Sequence, residues 1–356
     1  MPMTPTKVEH LYVHVPFCAA KCRYCAFHSH PGAAAEMETF AADIARALNG
    51  RASSRPHNAT DATERVPPFT LAPTTIFIGG GTPSILPVRL WQQLLASLPP
   101  GAAEFTIECN PATVDAEKAA LWRRAGVNRV SLGVQSFDDN LLAVLGRVHN
   151  AAQAADTFRL LRDAGFTNVN IDLMSGLPDQ TTSQWRDTLD RALALAPEHI
   201  SAYSLTIEEE TAFRGCVTLD EELQWQMYEQ LITTLTAAGY HHYEISNFAK
   251  PGRECAHNLA YWRGEDYLGL GPSAVSTVGL QRWTVGGDVE ILTDEIKRAE
   301  RIAFGLRMLD GIPRESVQGR DLARLLADNL VEWRGDRLAL TRHGLRYADE
   351  VAAEFV

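Results

Sequence analysis

Three stretches of this chain repeat one design. Trp122-Arg123-Arg124-Ala125-Gly126-Val127 leads into the apolar run 129–134. Leu161-Arg162-Asp163-Ala164-Gly165-Phe166 leads into 169–173. Leu235-Thr236-Ala237-Ala238-Gly239-Tyr240 leads into 243–245. In each, a helical pattern stops at a glycine, which suits the left-handed position after a helix, and a short loop enters a strand. Helix alternating with strand is the mark of a parallel β/α architecture. Strand patterns counted from Tyr12 to Leu205 number about six, which predicts an α/β fold built on an open, partial (β/α)6 barrel.

The first predicted strand, 11–15, runs into Cys18-Ala19-Ala20-Lys21-Cys22-Arg23-Tyr24-Cys25. In β/α folds the ligand lies beyond the C-terminal ends of the strands, so these thiols sit on the ligand side. Three thiolates on a short loop hold three corners of a 4Fe–4S cubane and leave the fourth iron open to the amine and carboxylate of a small molecule. A structural zinc site asks instead for four ligands, usually in paired Cys-x2-Cys units. Here there is one such unit, with His14, His28 and His30 nearby. Six cysteines in 356 residues, with no apolar signal segment at Met1–Thr6, argue against a disulfide framework and for a reducing, cytoplasmic setting. Cys109, Cys216 and Cys255 are scattered and read as small buried residues. A formal net charge of −11 speaks against nucleic acid as a partner. No apolar run approaches the length of a membrane span.

A second strand, 74–78, enters Gly79-Gly80-Gly81-Thr82-Pro83. Such a run offers backbone N–H groups to an anion, or simply makes a tight turn into the next helix. Polar residues end the later strands: Glu108, Gln135, Asp172 and, after Tyr203, Thr206. One of them alone would pass for a helix cap; four at equivalent ends mark a site. Arg147 falls on the helix predicted after Gln135, where a solvated arginine is the alternative. Helices are predicted over 36–48, 88–98 and 221–238. Residues 51–74, rich in Ser, Pro, Thr and Asn, predict a mobile surface loop.

The pattern divides the chain into a barrel over 1–215, an extension over 216–288 and a C-terminal module over 289–356. The extension carries His257-Asn258-Leu259-Ala260-Tyr261-Trp262. Its aromatics either line a pocket for a flat ligand or pack as core. The last module reads as helices over 291–309, 320–329 and 342–355 with a hairpin at 331–340, a winged-helix-like set. Without a basic surplus it reads as a packing or lid element rather than a DNA-binding one.

Taken in order, Tyr12-Val13-His14-Val15-Pro16-Phe17-Cys18, Gly79–Pro83, Leu132-Gly133-Val134-Gln135-Ser136, Gly176-Leu177-Pro178 and His257-Asn258-x-x-Tyr261-Trp262 resemble the HemN/HemW branch of the radical S-adenosylmethionine (SAM) superfamily. The likeness is closer to the haem-chaperone side of that branch than to the porphyrinogen-oxidising side. Tyr12 lies near the start, Ala26-Phe27 follows the third cysteine where the oxidising relatives carry a further Cys, and the His-Asn-x-x-Tyr-Trp motif belongs to the chaperones. Glu209-Glu210 departs from the Pro-Gly turn common at that place.

The resemblance implies that Cys18, Cys22 and Cys25 bind a 4Fe–4S cluster. It implies that Tyr12, Gly80, Gly81, Thr82, Glu108, Gln135, Arg147 and Asp172 contact SAM, with Met174 and Thr206 as looser correspondences. It further implies haem as the molecule carried, apo-haemoproteins as recipients, membrane association and a homodimer, although no amphipathic basic helix is seen that would explain docking. The other activity the branch implies is oxygen-independent dehydrogenation of coproporphyrinogen III, with SAM cleavage yielding a radical that attacks propionate side chains. For the haem iron, the resemblance points to His257, with the Cys255 thiolate as competitor.

Overall fold

The structure, a computed structural model, describes residues 6–49 and 69–356. Six parallel strands form its centre: β1 (Thr6–Val15), β2 (Phe69–Gly80), β3 (Glu104–Cys109), β4 (Arg129–Gln135), β5 (Val169–Ser175) and β6 (His199–Ser204). Val13, Val15, Ile76, Ile78, Ile107, Val130, Leu132, Ile171 and Ile200 are all completely buried. Near-continuous apolar strands of this kind belong to a parallel sheet covered on both faces. The cover comes from α1 (Ala34–Asn49), α2 (Val88–Ser97), α3 (Ala116–Arg124), α4 (Asp139–Leu145), α5 (Ala151–Asp163) and α6 (Thr182–Ala194). Trp91, Trp122 and Trp185, from α2, α3 and α6, are fully buried against the strands. Asn150 with Gln153, and Thr181 with Gln184, form capping boxes that start α5 and α6 where the sequence needs them.

Gly126, Gly165 and Gly239 all take positive φ after their helices, as the repeat predicts. The third repeat nevertheless does not add a barrel unit. After α7 (Glu221–Ala237), β7 (His241–Glu244) turns back into β8 (Asn247–Ala249), and β8, antiparallel, is the strand that pairs with β6. The turn at Ile245–Ser246 reverses the chain before a parallel crossover is possible. Beyond α8 (Ala256–Trp262), β9 (Leu268–Leu270) returns to the far edge and pairs parallel with β1. Among the described residues the main sheet thus has the order β9-β1-β2-β3-β4-β5-β6-β8-β7 and stays open.

The expected loop over 51–74 is corrected in part. Residues 51–68 lie outside the described residues, whereas 69–74 belong to β2. Val8 pairs with Leu71 and His10 with Thr75, so β2 carries extra residues at that bulge, among them Pro73. A proline at a bulge costs no ladder hydrogen bond, and its presence hid the strand.

The C-terminal part is more broken than predicted. A sheet of β10 (Val275–Val278), β11 (Gln281–Thr284) and β12 (Val289–Ile291) comes first. Thr293 then caps α9 (Asp294–Gly305), so Ile291 is strand rather than helix. The predicted helix over 320–329 is the short α10 (Ala323–Ala327). The one over 342–355 is a 3-10 turn (Gly344–Tyr347) followed by α11 (Ala348–Ala353). The hairpin is present as β14 (Val331–Arg334) and β15 (Arg337–Leu340), joined at its edge by β13 (Ile312–Pro313). Arg342 on Glu229 at 2.7 Å and Arg346 on Glu222 at 3.0 Å fasten this part to α7. No helix among the described residues is long and apolar enough to cross a membrane.

Candidate functional site

The cysteine loop leaves β1 and is tied down at several points. Phe17–Cys18 pairs with His30–Pro31 in a two-residue ladder. The Arg23 N–H donates to Leu145 O at 3.0 Å, and the Ala212 N–H to Arg23 O at 3.0 Å. The glycine run packs directly beneath the loop: the Gly81 N–H donates to Val15 O and the Thr82 N–H to Phe17 O, each at 2.7 Å. Gly80, at φ +107°, donates its N–H to the Glu108 carboxylate at 3.1 Å. These N–H groups are therefore engaged inside the protein rather than held out to a ligand's carboxylate. What the glycines provide is close approach.

Above this floor lies a cavity of about 640 Å³. Cys18, Cys22, Cys25, Gly80, Gly81, Thr82, Glu108, Gln135, Arg147, Asp172, Met174 and Thr206 all border it; Tyr12 and His257 do not. The thiols are dressed by neighbours. The Thr82 hydroxyl lies 3.5 Å from Cys18 Sγ, and Arg147 places Nη1 3.4 Å from Cys22 Sγ while Nη2 donates to Gly133 O at 2.6 Å. Arg147 follows the Gly146 cap of α4 and lines the cavity, so it is neither on that helix nor solvated. Burial and the other two thiols push the Cys25 thiol up. Among the described residues no three His, Cys, Asp or Glu side chains converge on a point suited to one metal ion. A cubane spreads its thiolates over separate iron corners, and a fixed guanidinium beside one of them offsets its charge. The residues fit a cluster.

Two carboxyl groups, Glu108 and Asp172, border the same cavity as the thiols. Asp172 accepts from Ser131 Oγ at 3.0 Å and from Asn170 Nδ2 at 2.7 Å, and burial raises it. Burial first, then the charge of Asp172, pushes Glu108 up to about 8. Two such groups suit an amine or a sulfonium, which would pay for their ionisation. Gln135 enters at φ +69°, next to a register shift between Gly133 and Gln135 in the β4–β5 ladder. The bulge turns this strand end, and the strained backbone is the kind that accumulates at binding sites.

Tyr12 supports the loop from behind. Its hydroxyl meets His14 Nδ1 at 2.9 Å, and His14 Nε2–H donates to the His28 carbonyl at 2.9 Å. The partner fixes the tautomer: Tyr12 is the donor to Nδ1. The sequence reading named His14 only as a histidine near the cysteines; its link to Tyr12 follows from 12 and 14 sharing one face of a strand.

His257 lies elsewhere. Its Nδ1 bonds Thr75 Oγ1 at 2.8 Å, and its ring stacks on Phe77 at 5.2 Å. Thr75 also meets His10 Nδ1 at 2.9 Å, and His10 Nε2 meets Glu265 at 3.0 Å. Glu104, at the start of β3, accepts the N–H groups of Ala256 and His257. Gly80 and the cavity are about five residues and ~16 Å further along β2. The motif helix α8 thus closes the N-terminal end of the barrel. Burial lowers His257 to about 3 and raises the competing Cys255 thiol to about 12. Sequence reasoning missed Thr75, His10 and Glu104, which are far apart in the chain.

The Radical SAM superfamily model matches residues 12–192. The heme chaperone HemW of Escherichia coli (strain K12) is 43% identical over 271 residues, covering 74% of this chain and 68% of that one. The heme chaperone HemW of Bacillus subtilis (strain 168) is 38% identical, covering 80% and 75%. Among solved structures, coproporphyrinogen III oxidase (HemN) from Escherichia coli superposes with a TM-score of 0.80 over 99% of this chain and 91% of its own, at 22% identity, a likeness of fold. By these matches and by its three-cysteine cavity, the chain belongs to the radical SAM superfamily and, within it, to the HemW family.

Proposed function

We propose that this protein is a haem chaperone: it binds haem and passes it to apo-haemoproteins, on a radical SAM scaffold. The observation that carries the reading is the 43% identity to a protein named heme chaperone, together with Phe27 bordering the cavity where the oxidising relatives carry a further cysteine. In this reading Cys18, Cys22 and Cys25 would hold a 4Fe–4S cluster, which when bound would supply a site for the amine and carboxylate of SAM and a route to one-electron chemistry. The chain's own residues do the rest. Arg147 offsets thiolate charge at Cys22, Glu108 and Asp172 take the cationic end of the ligand, and Gln135 and Thr82 line its bed. Tyr12, through His14, holds the loop from behind rather than touching SAM. Residues 289–356 act as a lid on the far side of the cavity.

Haem titration tests the reading. Purified, cluster-loaded protein should develop a Soret band that saturates near roughly one equivalent. The same titration on His257→Ala should give the same Soret position, because that side chain sits at the other end of the barrel. Its loss should appear as lowered stability, by about 1–2 kcal/mol for the buried Thr75 bond. A shifted Soret band in His257→Ala would instead assign the iron to His257. No binding at micromolar haem would sink the chaperone reading. Anaerobic conversion of coproporphyrinogen III with SAM and reductant would replace it by the dehydrogenase.

SAM binding should depend on pH through Glu108. Its pKa near 8 keeps it protonated at neutral pH, and a cation beside it favours the ionised form, so binding expels a proton. Affinity should therefore rise from pH 6 to 8, by up to about tenfold per unit, and level off above. Calorimetry in buffers of different ionisation enthalpy reads the released proton directly, and Glu108→Gln should abolish it. An unchanged proton count in that variant would place the titration elsewhere.

A further inference from the structure

The cavity is bordered by more than the SAM side: Tyr203 and the C-terminal elements also line it, the latter through Arg307, just after α9, and Arg346, in the 3-10 turn. Three large apolar side chains left exposed in the described residues, Phe27 at 66%, Val148 at 47% and Tyr203 at 43%, belong to the same cavity. Exposed apolar groups gathered around one opening mark a surface that awaits a partner.

The arginines are incompletely matched. Arg307 lies over Trp262, with Cζ 4.6 Å from the ring centre. Its acidic neighbours Glu244 and Asp349 stand 3.9 and 3.8 Å away, beyond hydrogen-bond range. Arg307 Nε and Glu244 Oε2 are both buried with no hydrogen-bond partner. Such groups are costly unless something completes them. Arg346 is paired with Glu222 at 3.0 Å, but that carboxylate is 60% exposed and the pair is cheap to exchange. Glu208, Asp349 and Glu350 also border the cavity, so it is no general sink for anions. With Arg147 already engaged by Cys22 and Gly133, a ligand's negative charge is welcome at the other two guanidinium groups, whose forks suit carboxylates.

An apolar opening that also presents two arginines recognises a flat apolar body that carries two carboxylates. We infer that haem lies across this opening, its ring against Phe27, Val148 and Tyr203 and its propionates on Arg307 and Arg346. The inference rests on the haem-chaperone reading and names the site within it.

The test is haem titration of full-length, cluster-loaded protein with two probes, haem and mesohaem dimethyl ester, which has the ring but no free carboxylates. Wild type should bind haem at least tenfold more tightly than the ester. Arg307→Gln/Arg346→Gln should lose that preference, with cluster absorbance unchanged. Phe27→Ser should weaken both probes alike. The inference is overturned if wild type binds ester and haem equally, or if the double variant keeps the preference; in both cases haem still binds and the chaperone reading stands. Should the double variant fail to fold, the wild-type probe comparison and Arg346→Gln alone still decide it. If wild type binds neither probe, the chaperone reading itself fails.

Discussion

Replacing Cys18, Cys22 or Cys25 with serine is expected to abolish the broad iron–sulfur absorbance of the reconstituted protein and its bound iron and sulfide. A cubane on two thiolates is labile, and the hydroxyl that replaces the third is a poor ligand at neutral pH. The loss should be specific to the cluster. Cys22 and Cys25 are only half-buried and Cys18 sits at the loop's root, so the barrel core around Val13, Ile78 and Leu132 is untouched. Unfolding of the cofactor-free variants should therefore match wild type to within about 1 kcal/mol. Iron and sulfide retained in all three variants would locate the cluster away from this loop.

Gly81→Ala should damage the same centre without removing a ligand. A Cβ there would stand 2.7 Å from Phe17 O, 3.0 Å from Val15 O and 3.1 Å from Cys18 Sγ. Two of those atoms are backbone and accept the hydrogen bonds from Thr82 and Gly81 that bind the two loops together. Neither yields without breaking a bond, so the cysteine loop must lift off its floor. Overpacking of this kind costs about 1–3 kcal/mol, here concentrated at Cys18. The variant should fold but lose most of its cluster. Gly287→Ala, whose Cβ finds only ordinary contacts at 3.5 Å or more, is the control. A Gly81→Ala protein with full cluster content would show that the loop is compliant.

What the chain announced in advance was what local chemistry can encode. The helix–glycine–strand repeat gave the barrel because a left-handed cap and a buried parallel strand each leave a mark within a few residues. The three cysteines and the strand-end residues Glu108, Gln135 and Asp172 were legible because β/α topology sends every strand end to one face. The third repeat, in the extension, likewise gave its helix, its glycine and its strand, but nothing in 235–245 encodes that Asn247–Ala249 will fold back between β7 and β6. For His257 the sequence left pocket and core both open, and only the long-range pairing with Thr75, Phe77 and Glu104 shows how α8 is packed. Arg307 and Arg346 were invisible for the same reason: their common cavity exists only after α9 and the C-terminal turn have docked.

The parallel pairing of β9 with β1 has a consequence for synthesis. Thr6–Val15 is made long before Leu268–Leu270, so its outer edge stays bare until that strand has been made. Pairing across so long a stretch of chain is slow, because loop closure must precede any reward from contact. Until then the strand that roots the cysteine loop has one paired side and one open edge, a template for misassociation. Iron and sulfide offered to the nascent chain would therefore meet an unfinished seat, and cluster insertion belongs after translation has passed β9.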